Sequence, residues 1–277
     1  MTLGVEELGD GMHTTRGADV DIAFWVQGVG PAIVLLHGTS ANHGVWADVA
    51  NQLSDRATVI SLDQRGHGHS GKPDRGYTGS DYAKDVIVVL DALAIDRAVV
   101  GGHSLGGRNA WVTAALFPER VAAAVVVDYT PYVEQAVIDE LGVRVAAGFR
   151  SFGDRRQIED YLKSRYRRIL PAAVERRALW GYQQRPDGAW MPRADPEAMR
   201  QTIDGFRTPW LAEFLAVTAP MTHLRGSDSL IVSAAAWEAA KHDRPTDRWV
   251  VVDDADHYIP EEFPALIAAE FENVLGP

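Results

Sequence analysis

Residues 97–107 read RAVVGGHSLGG, an apolar run that closes on a serine held between two pairs of glycines. The run before the serine has strand character, and SLGGRNAWVTAALFP (104–118) behind it has the composition and apolar spacing of a helix. Between strand and helix, Gly102-His103-Ser104-Leu105-Gly106 fits G-x-S-x-G, the pattern of a nucleophile elbow. The pattern has a steric cause. The serine occupies a strained turn, and a Cβ two residues to either side would strike neighbouring backbone. The turn lifts the Ser104 hydroxyl clear of the sheet at a helix N-terminus, where the Leu105 amide can stabilise an oxyanion. The plainer alternative is a serine N-cap flanked by packing glycines; the strand–turn–helix setting favours the elbow.

Outward from this turn, strand-like and helix-like segments alternate. DIAFWVQG (21–28), AIVLLHG (32–38), ATVISLD (57–63) and VAAAVVVD (121–128) are short β-branched runs. VWADVANQL (45–53) and DYAKDVIVVLDAL (81–93) carry helical spacing. After a gap, the rhythm resumes with APMTHLRG (219–226), AAAWEAAKH (234–242), RWVVVDDADH (248–257) and FPALIAAEFENVL (263–275). Fully apolar strands alternating with helices predict an α/β fold, a mostly parallel sheet covered by helices on both faces. The intervening stretch differs. Residues 131–215 are rich in Arg and Trp and interrupted by proline, with thirteen Arg and one Lys against twelve Asp and Glu. The local charge is therefore +2, which leaves −13 for the remainder of a chain whose total is −11. The expected organisation is a core of residues 1–130 and 216–277 interrupted by a helical lid, 131–215.

A serine hydroxyl needs a base, and nine histidines are available. His257, in DDADHYIP, follows the last strand and precedes the last helix, the chain order required when the nucleophile comes first. His37, His67 and His69 lie in Gly-rich loops and read as structural. The His-x-His spacing of the last two has no further metal ligand beside it, so neither metal nor cofactor is expected. HGTS (37–40) ends an earlier strand and offers Thr39 as a second oxyanion amide.

DQRGHGHS, GGHSLGG, the interrupting lid and the terminal DADHY together resemble the α/β-hydrolase fold over essentially the whole chain. The resemblance implies that the lid is inserted after the sixth strand. In most members the acid of the triad follows the strand after the lid. On GSDSLIV (226–232) that column falls on Ser229, with Asp228 one residue early. The other candidate is Asp128, which ends the apolar strand behind the nucleophile helix and would be desolvated unless paired. Asp128 is the preferred acid and Asp228 the alternative.

The lid, GYQ, LIVSAAA and the spacing from Ser104 to Asp128 further resemble a branch of that fold that hydrolyses an acetylated enamine bearing two carboxylates. That resemblance implies carboxylate-binding roles for Arg144 and Arg165, beside Tyr166; Tyr258, next to the base in sequence, is a further candidate for substrate contact. Guanidinium forks suit carboxylates because they bind bidentately and stay charged. The expected activity is serine-dependent hydrolysis of an amide or related acyl bond in a small anionic substrate. A carboxylesterase or lactonase, a cofactor-independent ring-cleaving dioxygenase and a non-catalytic ligand receptor remain as alternatives of the same fold.

Composition narrows the field further. A chain of 277 residues, 46% hydrophobic and 23% charged, can bury a full core. A net charge of −11 argues against gripping nucleic acid or anionic membrane surfaces. The absence of cysteine rules out disulfides, thiolate metal sites and a cysteine nucleophile. The start, MTLGVEELGDG, lacks the features of a leader peptide, and no apolar run approaches the ~20 residues of a membrane span. The expectation is a soluble cytoplasmic protein, with a homodimer left open.

Overall fold

The computed structural model describes residues 5–7, 11–17, 19–166 and 168–276. Its strands are β1 (Val5–Glu7), β2 (Met12–Arg16), β3 (Asp21–Gln27), β4 (Ala32–Leu36), β5 (Thr58–Leu62), β6 (Ala98–His103), β7 (Val121–Val127), β8 (Tyr182–Gln184), β9 (Trp190–Pro192), β10 (Met221–Gly226) and β11 (Arg248–Val252). The helices are α1 (Ala47–Leu53), α2 (Gly79–Ala92), α3 (Leu105–Leu116), α4 (Gln135–Ala146), α5 (Arg155–Arg165), α6 (Pro171–Trp180), α7 (Pro196–Gly205), α8 (Leu211–Ala216), α9 (Ala234–Asp243), α10 (Ile259–Glu262) and α11 (Pro264–Leu275).

Nine strands form one sheet in the order β1-β2-β3-β5-β4-β6-β7-β10-β11. From β5 to β11 the pairing is parallel, while β1, β2 and β3 add an antiparallel edge. Alternate residues of each parallel strand feed opposite layers. Val34 and Leu36 join a cluster with α2, α3 and α9, whereas Ile33 and Leu35 join one with α1 and α11. Both faces are thus buried, as the unbroken apolar runs require. Strand order reverses at β4, which has β5 on one side and β6 on the other, and the carboxyl ends of the strands beside such a reversal form a crevice.

Two features depart from the sequence reading. The insertion follows β7, the seventh strand in chain order and not the sixth, because β1 and β2 pair outside β3. The polar alternation of MHTTR in β2 gives a single half-buried strand little to distinguish it from a loop. The stretch 131–215 is also neither wholly helical nor one unit. It contains the hairpin β8–β9, and only Phe152, Ile158, Leu162, Ile169, Ala173, Val174, Ala178 and Tyr182 form a separate small core. Ile138 and Val145 of α4, Met199 and Ile203 of α7 and Phe214 of α8 pack into the main core. No helix among the described residues is long and apolar enough to cross a membrane.

Candidate active site

Ser104 stands between β6 and α3 with φ 55° and ψ −115°, a conformation that side-chain-bearing residues adopt only when their surroundings enforce it. The enforcement is visible in the glycines. A Cβ on Gly102 would lie 2.1 Å from the Gly106 carbonyl carbon, and one on Gly106 would lie 2.0 Å from the Leu36 carbonyl oxygen. The serine occupies the N-cap position of α3 yet makes no capping hydrogen bond, so its hydroxyl is not spent on the helix. This removes the plain N-cap reading. The helix nevertheless begins at Leu105, whose amide belongs to the unsatisfied first turn.

The turn after β4 comes close to this serine: a Cβ built on Gly38 would stand 3.3 Å from Ser104 Cβ. Gly38, Thr39, Ser40 and Ala41 line the same cavity as Ser104. The Thr39 hydroxyl is buried there with no hydrogen-bond partner among the described residues.

Asp128 follows β7 with φ 52° and is fully buried. Three donors converge on its carboxylate: His257 Nδ1 at 2.6 Å and the Ser229 hydroxyl at 2.5 Å on Oδ2, and the Gly226 amide at 2.9 Å on Oδ1. With Nδ1–H committed to Asp128, Nε2 is the basic nitrogen of the His257 ring. The base loop is tied down twice more, by His257 N–H to Asp256 Oδ1 at 2.6 Å and by His103 Nε2–H to the His257 carbonyl at 2.8 Å. Burial, followed by the neighbouring His257, holds the His103 ring well below the ordinary histidine pKa, so it remains a neutral strut. Ser104 and His257 line one cavity. No direct hydrogen bond joins their side chains among the described residues. Such catalytic contacts often close only around substrate.

Asp228 lies elsewhere. Its carboxylate is half-exposed and forms an ion pair with Arg168 at 2.7 Å on the surface. The residue in the acid column, Ser229, instead donates to Asp128 and accepts the Ile231 and Val232 amides at 3.2 and 3.1 Å. Its place in that column was the sequence signal for this supporting role.

The lid side of the cavity is formed by Leu141, Val145, Arg165, Tyr166 and Arg177, with Tyr258 from the base loop. Arg165 donates to the Tyr166 and Tyr161 hydroxyls, both at 3.2 Å, and to the Arg144 carbonyl at 3.1 Å. Tyr166 and Tyr258 meet edge to face at 4.7 Å. Arg144 donates to the Tyr258 hydroxyl at 3.2 Å but does not itself line the cavity. Arg177 does, and sequence reasoning passed over it as one of thirteen lid arginines.

His37 and His67 do not line this cavity. His37 accepts the Gln64 amide on Nε2 at 3.0 Å and donates from Nδ1 to the Gly38 carbonyl at 2.8 Å; His67 donates to the Arg65 carbonyl at 2.9 Å. Among the described residues no group of three or more His, Asp and Glu side chains is arranged to hold a metal. Of the lid-side and core tryptophans, Trp46 and Trp111 are core, and Trp180, Trp190 and Trp210 do not line the serine cavity.

This fold and this serine turn define a class: the chain belongs to the α/β hydrolase fold family, whose sequence profile matches residues 31–264, and it is a hydrolase. The 2-(acetamidomethylene)succinate hydrolase of Mesorhizobium japonicum is 41% identical over 249 residues, spanning 90% of this chain and 89% of that relative. A crystal structure of E-2-(acetamidomethylene)succinate hydrolase superposes with a TM-score of 0.91 at 38% identity, covering 95% of this chain and 99% of the other. A thioesterase domain from the curacin biosynthetic pathway, at 16% identity, TM-score 0.79, and coverage of 99% and 100%, shares the fold alone.

Proposed function

We propose that the chain hydrolyses the enamide bond of 2-(acetamidomethylene)succinate or a close analogue, releasing acetate. The observation that carries this reading is a cavity in which the serine and imidazole face guanidinium groups of the lid. Near-identity of length and fold with hydrolases of that name supports it.

In the proposed reaction, Ser104 Oγ attacks the acetyl carbonyl while His257 Nε2 takes the hydroxyl proton. Asp128 fixes the imidazole tautomer and stabilises the imidazolium, and Ser229 and Gly226 hold its carboxylate in place by donating to it. The Leu105 and Thr39 amides receive the oxyanion, a contribution of about 10²–10³ in rate per donor. Collapse breaks the carbon–nitrogen bond as the imidazolium protonates the departing enamine nitrogen. Water, deprotonated by His257, then frees acetate from Ser104. The carboxylates of the leaving half are held by lid guanidinium and tyrosine groups, Arg165 and Tyr166 among them, with Tyr258 closing the base side.

Incubation with 2-(acetamidomethylene)succinate tests the reading. One acetate is expected per substrate consumed, without oxygen uptake. An absence of acetate release, with simple esters turned over readily, would replace the enamide by an ester as substrate.

A further inference from the structure

The buried guanidinium of Arg177 is a group the reaction above leaves unused. It projects from α6, is 7% exposed, and lines both the cavity of Ser104 and an adjoining lid chamber bounded by Tyr161, Tyr182 and Asn42. Glu261, 2% exposed, grips it from α10: Nε donates to Oε1 at 2.7 Å and one terminal nitrogen, Nη2, donates to Oε2. The ring of Tyr166 lies 4.4 Å and that of Tyr258 5.5 Å from Cζ. Burial opposes the charge, but the Glu261 carboxylate more than offsets this, and the side chain stays protonated.

A guanidinium has five N–H donors, and this fork uses two of them. The Nη1 edge engages no described residue, although the side chain borders the cavity. Held by a fork on one edge and by aromatic faces, the group has almost no conformational freedom left to lose when an anion arrives, which is the condition for tight, geometry-specific binding.

We propose that Arg177, presented by Glu261, binds a substrate carboxylate directly. The inference deepens the dicarboxylate reading above and rests on it. Arg177 on α6 then adds a cationic contact to the one that Arg165 offers from α5.

The test is calorimetric binding of 2-methylenesuccinate, the dicarboxylate skeleton without its acetamide, to protein carrying Ser104→Ala. In that background, Arg177→Gln combined with Glu261→Gln removes the guanidinium without leaving a bare buried carboxylate. Loss of a charged hydrogen bond predicts a Kd about 30-fold weaker. The neutral dimethyl ester separates binding from scaffolding. Its affinity is expected to fall much less than that of the dianion, whereas a merely structural role would lower both together. Should the double variant not fold, Arg177→Lys keeps the charge and the Glu261 partner but lacks the fork, with a weakening of about tenfold expected. Dianion affinity in the folded double variant, or failing that in Arg177→Lys, within about twofold of the background would overturn the proposal, as would equal losses for diester and dianion. Failure of the background protein to bind 2-methylenesuccinate at all would instead sink the dicarboxylate reading itself.

Discussion

The rim of the sheet and the lid above it place their functional groups by different means. Ser104, Asp128 and His257 sit within a few residues of the ends of β6, β7 and β11, so the sheet fixes their positions through backbone hydrogen bonds. Ser104 N–H bonds to the Val127 carbonyl and Asp128 N–H to the Leu224 carbonyl, both at 2.8 Å. Arg144, Arg165 and Arg177 ride on α4, α5 and α6, outside the sheet. There side-chain contacts, several of them to tyrosine hydroxyls, hold the guanidinium groups, and Leu170 N–H bonds to the Glu261 carbonyl at the start of α6. Rim substitutions should therefore act on the chemical step, and lid substitutions on the affinity for anions.

The largest expected effect is at the rim. Ser104→Ala should lower kcat by roughly 10⁴ or more, and Asp128→Ala by roughly 10³–10⁴, with KM little changed. Asp228→Ala, which breaks only a half-exposed ion pair with Arg168, should stay within about twofold of the parent. Steady-state acetate release measures all three. An intact Asp128→Ala enzyme would erase the contrast between rim and surface. In the lid, Arg165→Ala should raise KM for the dianion about 30-fold, with a smaller fall in kcat. A loss confined to kcat would move Arg165 from binding into the chemistry.

The regions should also differ in their response to acid. All nine histidines lie outside residues 131–215. Burial holds His37 at about 4 and His67 at about 3, against an ordinary value of 6.5. The unfolded chain therefore takes up protons near pH 6.5 that the folded core refuses. The stability these two rings contribute is complete above 6.5 and is lost progressively as pH falls through that window towards 4 and 3. The limiting slope is about 1.4 kcal/mol per pH unit for each ring. Urea midpoints taken across the window should fall; a flat profile would mean these rings are protonated in place. The smallest effect is expected from Thr39→Val, about fivefold or less in kcat, since the side chain goes but the proposed oxyanion amide stays. A loss of 10²-fold or more would make the orphaned Thr39 hydroxyl a donor in its own right.

How much of this was legible in sequence follows the same division. The elbow was readable because its glycines answer a steric demand, the contacts of Gly102 and Gly106, that leaves few alternatives. The preference for Asp128 came from an aspartate ending an apolar strand, and the structure sets it against His257. Chain order located His257 for the same reason: a sheet turns sequence order into spatial order. The lid offers no such rule. Thirteen arginines in 131–215 share one composition, and only packing separates Arg177, gripped by Glu261 at the cavity, from Arg144 behind Tyr258. The strand β2 escaped notice because MHTTR carries little apolar alternation of its own, although it pairs with the neighbouring Asp21 to Trp25 in a local hairpin.

The central claim is that the Ser104 hydroxyl carries the acyl group between attack and release. Rapid acid quench of a single turnover of 2-(acetamidomethylene)succinate, followed by peptide mass spectrometry, tests it most directly. The account predicts an acetyl group on the peptide bearing Ser104 in the parent enzyme within a single turnover, and none with Ser104→Ala. Acetate release at the parent rate from Ser104→Ala, with no acylated peptide at any time, would contradict it.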